Sequence, residues 1–112
     1  MTTIKIVDIT KRTNCIDPQL AEPIFNEILS HIQNDQHVNL SFAGVDLIIT
    51  AFLQVAIGKL FDPSLKVASK IDTFLTIIDA DEDQMDKVEQ VKAYAKMYYD
   101  DPEQLKEIAE EK

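Results

Sequence analysis

The side chains that could do chemistry in this 112-residue sequence are few and scattered. Cys15, beside Asn14, lies just ahead of a helix start at Asp17-Pro18, and a helix N-terminus lowers a thiol pKa toward that of a nucleophile. No histidine or carboxylate is spaced to serve it, which favours a small neutral thiol. His31 and His37 stand six residues apart across a predicted helix end and strand start, so they do not share a helical face as zinc ligands would. The run Asp79-Ala80-Asp81-Glu82-Asp83 fills the first, third and fifth positions of a calcium loop. Gln84, however, stands where the sharp turn needs glycine, and Gln90 where the loop needs its bidentate glutamate. Acids that complement the dipole at the start of a long helix are the better reading. Gly44 and Gly58 are the only glycines, too few for a phosphate-cradling loop. Tyr94, Tyr98 and Tyr99 could stack on bases, but they lack an excess of basic neighbours and are expected to pack against a sheet and wet its rim. The sequence therefore offers no catalytic residue, no metal site and no cofactor site, and the expectation is a protein that is not an enzyme.

Thr50 has two readings. It stands between the apolar stretch Leu47-Ile48-Ile49 and a helix beginning Ala51-Phe52-Leu53, the place of an N-cap. The same place suits a phosphoacceptor, because free N–H groups and the helix dipole favour a phosphate there, and phosphorylation would add about two negative charges to a binding surface.

The elements that position these residues are set by spacing. Ile4, Ile6, Val7 and Ile9 form a β-branched run that predicts a first strand, and Thr10 to Asn14 a loop. Asp17-Pro18 opens a helix whose apolar residues Leu20, Ile24, Phe25, Ile28, Leu29 and Ile32 recur on one face. Pro23 either kinks its first turn or delays its regular part to about Glu22. His37 to Phe42 alternates as a strand with one covered face, and its other face offers a surface for a homodimer. Ala43 to Asp46 is a turn. The helix after Thr50 carries Leu53, Ala56, Ile57 and Leu60, Asp62-Pro63-Ser64 restarts the chain into a helical piece from Leu65 to Lys70, and Phe74 to Ile78 is a third strand. Glu82 to Tyr99 is a long helix with Met85, Val88, Val91, Ala95 and Tyr98 inward. Asp101-Pro102-Glu103-Gln104 opens a last helix holding Leu105 and Ile108. This alternation predicts an α/β fold in one small domain over residues 1–112. It has a mixed or parallel sheet of about four strands packed with helices, and a terminal helix over 101–112.

Composition agrees. The chain is 46% hydrophobic and 28% charged, enough for one core, and its net charge of −9 disfavours a surface that neutralises nucleic-acid phosphates or an anionic membrane. Its single cysteine excludes an internal disulfide and fits a reducing compartment. No signal peptide or roughly 20-residue apolar span is present, so the expected location is the cytoplasm.

The segment from Leu40 to Phe61, LSFAGVDLIITAFLQVAIGKLF, resembles the signature of STAS-like domains, bacterial proteins related to anti-sigma-factor antagonists. The Asn14-Cys15 loop and the Val88 to Tyr99 segment fit the same order, so the resemblance covers about residues 4 to 104. In the antagonists an Asp-Ser-Ser-Gly loop comes after the central strand, and its first Ser is phosphorylated by an anti-sigma kinase. On that pattern Ile49, Thr50, Ala51 and Phe52 take the four positions, with Thr50 at the phosphoacceptor. The resemblance implies a noncatalytic regulatory module that binds a protein, such as an ATPase of the histidine-kinase type, through Asn14, Cys15, Asp17, Thr50, Ala51, Phe52 and Gln54. The alternative expectation is an acidic inhibitor or decoy that occupies a basic site on a nucleic-acid enzyme.

Overall fold

The structure, a computed structural model, describes residues 2–100, with side chains through Tyr99. The terminal helix expected over 101–112 lies outside the described residues. Strand β1 (Thr2–Lys5) pairs in parallel with β3 (Val38–Ser41), which pairs in parallel with β5 (Leu75–Ile78), giving a sheet in the order β1-β3-β5. A second, two-stranded parallel ribbon joins β2 (Asn14–Cys15) to β4 (Leu47–Ile48). The fold is thus the expected α/β architecture with parallel strands, divided between a sheet of three and a ribbon of two.

The register explains which face is covered. Ile4, Leu40 and Ile77 stand side by side on one face, whereas Thr3, Asn39 and Thr76 share the other, where Asn39 Nδ2 donates to Thr3 Oγ1 at 3.4 Å. Alternation along β3 buries Val38 and Leu40 against α2 (Glu22–Gln33), and it leaves the open face polar.

The first strand is shorter than its β-branched run suggested. Lys5 lies opposite Ser41, the last residue of β3, so a longer β1 would have no partner. The chain instead makes one helical turn, α1 (Ile6–Thr10), which buries Ile6 and Thr10 and ends on Lys11 in the left-handed region at φ 59°, its N–H bonded to the Val7 carbonyl at 2.9 Å. Burial of a residue pair four apart overrides strand propensity here.

Asp17 does act as a cap, accepting a bond from the Gln19 N–H at 3.0 Å, but the turn it opens, Pro18–Ala21, is of the tighter 3-10 kind. The regular helix α2 begins at Glu22, with Pro23 harmless in its first turn, and buries Ile24, Phe25, Ile28 and Ile32. Helix α3 (Thr50–Ala56) packs on that 3-10 turn and on α2, burying Phe52, Leu53 and Ala56. Short 3-10 turns at Gly58–Phe61, Pro63–Leu65 and Ala68–Lys70, then α4 (Ile71–Phe74), lead into β5. Helix α5 (Glu82–Asp100) closes over α3 with Val88, Val91 and Ala95 inward. Tyr98, expected on that face, is instead largely exposed. Gly58 faces α5, where a Cβ would lie 3.4 Å from Val91 Cγ1, in ordinary van der Waals contact. Among the described residues no helix is long and apolar enough to cross a membrane.

Candidate functional site

The ribbon builds the candidate site. Asn14 stands opposite Leu47 and Cys15 opposite Ile48, while the Asp46 and Leu47 N–H groups both donate to the Thr13 carbonyl and the Ile49 N–H to the Cys15 carbonyl. Cross-strand partners in a parallel pair point to the same side, so the ribbon has two faces. Cys15 and Ile48 point inward and are buried. Asn14, Ile16 and Leu47 point outward, and Ile16 and Leu47 are about half exposed, at 55% and 47%. Two exposed branched apolar side chains on the outward side of one short ribbon are the feature of this face that folding alone does not use.

Thr50 begins α3 immediately beyond the ribbon and is exposed, as are Ala51 and Gln54. It is not the N-cap. Ile49 holds that position in extended conformation, and its carbonyl accepts from the Phe52 and Leu53 N–H groups at 3.1 and 3.3 Å, with no side-chain cap. The Thr50 hydroxyl is therefore not committed to capping its own helix. Lys87 of α5 reaches across to donate to the Ile48 carbonyl at 2.8 Å, fixing the backbone two residues ahead of Thr50.

Two residues expected at the partner surface are not on it. Phe52 is fully buried and Cys15 is 1% exposed, because the apolar spacing that makes α3 amphipathic also turns Phe52 into the core. Cys15 lies on the ribbon's inner side and Phe52 on the buried side of α3. Burial also pushes the Cys15 thiol above its ordinary pKa, an effect the hydrogen bond with Thr10 opposes only in part, so it is a neutral thiol rather than an activated one. Asp17 and Asn14 are exposed at the ribbon's rim, the Asp17 carboxylate being held by its turn.

The acidic run beyond β5 has structural duties. Asp79, at φ 59°, accepts from Ser41 Oγ at 2.6 Å. Asp81 and Gln84 cap each other at the start of α5, each side chain bonding the other's N–H, at 2.8 and 3.0 Å. Gln84 also donates from Nε2 to the Val45 carbonyl at 3.2 Å, pinning the turn ahead of β4 to α5. Among the described residues no group of three or more histidine, cysteine or acidic side chains is gathered to hold a metal ion. A cleft of about 210 Å³ lies between α3 and α5, lined by Gln54, Gly58, Lys59 and Tyr94, but its amine is engaged, Lys59 Nζ binding Glu22 at 2.8 Å and lying over the Phe25 ring.

The place of Thr50 at a helix start and the family resemblance point to this region, but neither names Ile16 or Leu47. Each is flanked by polar or buried neighbours at a strand of two residues, too short for alternation to register. The nearest signal was an isoleucine set between Cys15 and Asp17 in an otherwise polar loop.

A family model described as a STAS-like domain of unknown function matches residues 21–85, which run from the start of α2 through β3, β4, α3 and β5 to the first turn of α5. The matched stretch contains Leu47 and Thr50, and β2 lies just ahead of it. No curated protein and no solved structure matches the chain.

Proposed function

The chain belongs to the family of STAS-like domains of unknown function, and from that premise we propose that it is a noncatalytic regulatory module. It docks a second protein on the outward face of the β2–β4 ribbon, with Thr50 beside that face as a phosphorylation switch. The observation that carries this reading is the parallel pairing of Asn14–Cys15 with Leu47–Ile48. It joins the first loop to the segment ahead of Thr50, with Ile16 and Leu47 each exposed on its outward side. Resemblance to anti-sigma-factor antagonists supports the choice of partner, an ATPase of the histidine-kinase type. Such an enzyme would transfer the terminal phosphoryl group of ATP to Thr50 Oγ, forming the new P–O bond as the bond to ADP breaks and the hydroxyl proton passes to a base of the kinase. The two charges added at the first residue of α3 would then repel an acidic partner surface and impose a desolvation cost on an apolar one.

The test is affinity capture from the native host with wild-type protein, Leu47→Glu and Thr50→Glu, read by mass spectrometry and repeated with the purified captured protein. The reading expects a nucleotide-binding protein held by the wild type and released by both variants, with phosphate on wild-type Thr50. A partner retained by Leu47→Glu sinks the docking face. A partner retained by Thr50→Glu, with no phosphate found, leaves constitutive docking and removes the switch.

A further inference from the structure

We propose that the outer edge of β2, with Lys11 and Arg12 beside it, takes an extended acidic segment of the partner protein by strand addition. The inference rests on the proposed docking face and adds the chemistry of what docks. Its first support is the backbone. Thr13 and Cys15 direct their carbonyls to β4, so the residues between and beyond them, Asn14 and Ile16, direct their N–H and C=O groups away from the ribbon. Among the described residues these groups have no hydrogen-bond partner, and both residues are exposed. An edge of this kind is a template for another strand, and natural proteins usually blunt it.

The second support is charge. In a chain of net charge −9, most cations of the described residues are already used. Lys59 binds Glu22, Lys70 binds Asp35, Lys92 and Lys96 bind Asp72, and Lys87 bonds the Ile48 carbonyl. Lys5, Lys66, Lys11 and the only arginine, Arg12, make no ion pair among the described residues, and the two that are adjacent in the chain are Lys11 and Arg12. With Thr13, Asn14, Ile16 and Asp17 these two line one shallow depression against the open edge. The Asp17 carboxylate there is turned to the Gln19 N–H.

The loop that presents these cations is braced rather than loose. Lys11 sits in the left-handed region with its N–H on Val7, and buried Thr10 binds both the N–H and the carbonyl of Arg12 through its hydroxyl, at 3.2 and 3.1 Å. A guanidinium carried on a braced backbone beside an apolar side chain suits a carboxylate next to a branched apolar residue. Asp17 lies in the depression and the Asp46 N–H bonds the Thr13 carbonyl beside it, whereas acids farther off weigh less, because at physiological salt charges beyond about 8 Å are largely screened. The partner chemistry is therefore acidic and apolar, opposite in sign to what an acidic decoy would seek.

The experiment titrates the isotope-labelled 112-residue chain with the capped peptide Glu-Glu-Val-Ile-Val-Glu-Glu, using Lys-Lys-Val-Ile-Val-Lys-Lys as its control, and monitors backbone amides by NMR. The acidic peptide is expected to shift the amides from Arg12 to Asp17 and to slow hydrogen exchange at Asn14 and Ile16. The exposed double variant Lys11→Glu/Arg12→Glu, checked for a native spectrum, is expected to bind it about tenfold more weakly. Equal binding of the two peptides, or unchanged exchange at Asn14 and Ile16, overturns the inference. Concentration-dependent shifts of the same amides without peptide would assign the edge to a second copy of the chain and also overturn it. If Leu47→Glu releases the captured partner while the acidic peptide does not bind, the docking face stands and the acidic strand falls. If the peptide binds with the expected shifts and no partner is captured, the strand-addition site stands without the proposed function.

Discussion

Ser41 Oγ donates to Asp79 Oδ2 at 2.6 Å, tying the carboxyl end of β3 to the residue just past β5. The same hydroxyl accepts from the Ala43 N–H at 3.2 Å, so one buried side chain fixes both the strand pair and the turn that leads to β4. Replacing Ser41 with Ala should cost about 1 to 2 kcal/mol, because a bond to a charged group is lost and a backbone donor loses its acceptor. Asp79→Asn should cost less, since asparagine keeps an acceptor oxygen and tolerates the left-handed backbone at φ 59°. Urea unfolding of the two variants measures the difference, and a larger loss for Asp79→Asn would refute this account.

Gln84 joins the start of α5 to the turn before the ribbon through Asp81 and Val45. Gln84→Glu keeps an acceptor for the Asp81 N–H but loses the donor to Val45, whereas Gln84→Ala loses both. The expected order of stability is wild type, Glu, Ala, with the alanine variant down by about 1 to 2 kcal/mol. If the glutamate variant matches wild type, the Val45 bond carries no weight in holding the turn.

Much of this arrangement is legible in the sequence. The apolar residues of α2 recur at helical spacing over a full-length helix, and every one of Ile24, Phe25, Ile28 and Ile32 is buried. The alternation of Val38 and Leu40 with Asn39 likewise marks the covered face of β3. The hidden part depends on pairing between distant segments. The end of β1 is set by the end of β3, so Ile6 to Ile9 has the composition of a strand and forms a helical turn. The ribbon strands have two residues each, below the length at which any period is visible, and spacing alone does not assign their outward side chains. The Asp81–Gln84 capping box is present as a spacing, but its bond to Val45 is not.

Phe52 and Leu47 separate stability from docking. Phe52 is fully buried between helices, so Phe52→Ala should cost about 3 to 5 kcal/mol and would disturb any partner through the fold. Leu47→Glu places its new charge on an exposed face and should change stability by no more than about 0.5 kcal/mol. Thermal unfolding of the pair decides whether loss of a partner can be read as loss of contact. A strongly destabilised Leu47→Glu would mean that the outward face is part of the core.

Asp72 gives a pH test. The bond with Lys92 at 2.7 Å is the main cause holding its carboxyl below the usual carboxylate range, partial desolvation opposes this, and the charges of Lys92 and Lys96 add to the lowering. A depressed pKa in the folded state means the pair contributes stability above the unfolded pKa of about 3.9 and loses it as pH falls through the folded value. Lys92→Met, which keeps the aliphatic stem, should therefore be slightly less stable than wild type at neutral pH, by less than about 1 kcal/mol for so exposed a carboxylate, and equal to it once Asp72 is protonated. Denaturation curves at several pH values check this, and a gap that persists in strong acid would assign the effect to packing.

Cys15 should behave as a core residue whatever binds above it. Its side chain is 1% exposed, and desolvation raises its pKa, so at neutral pH it is a shielded thiol. A disulfide reagent should modify it at least about a hundredfold more slowly in the native protein than in denaturant, since reaction requires local opening of the ribbon. Cys15→Ala should leave partner capture intact, because the exposed residues of the proposed docking face are Asn14 and Ile16 on either side of it. Fast native labelling would show that the ribbon opens readily, and loss of capture in the alanine variant would place the thiol itself in the interface.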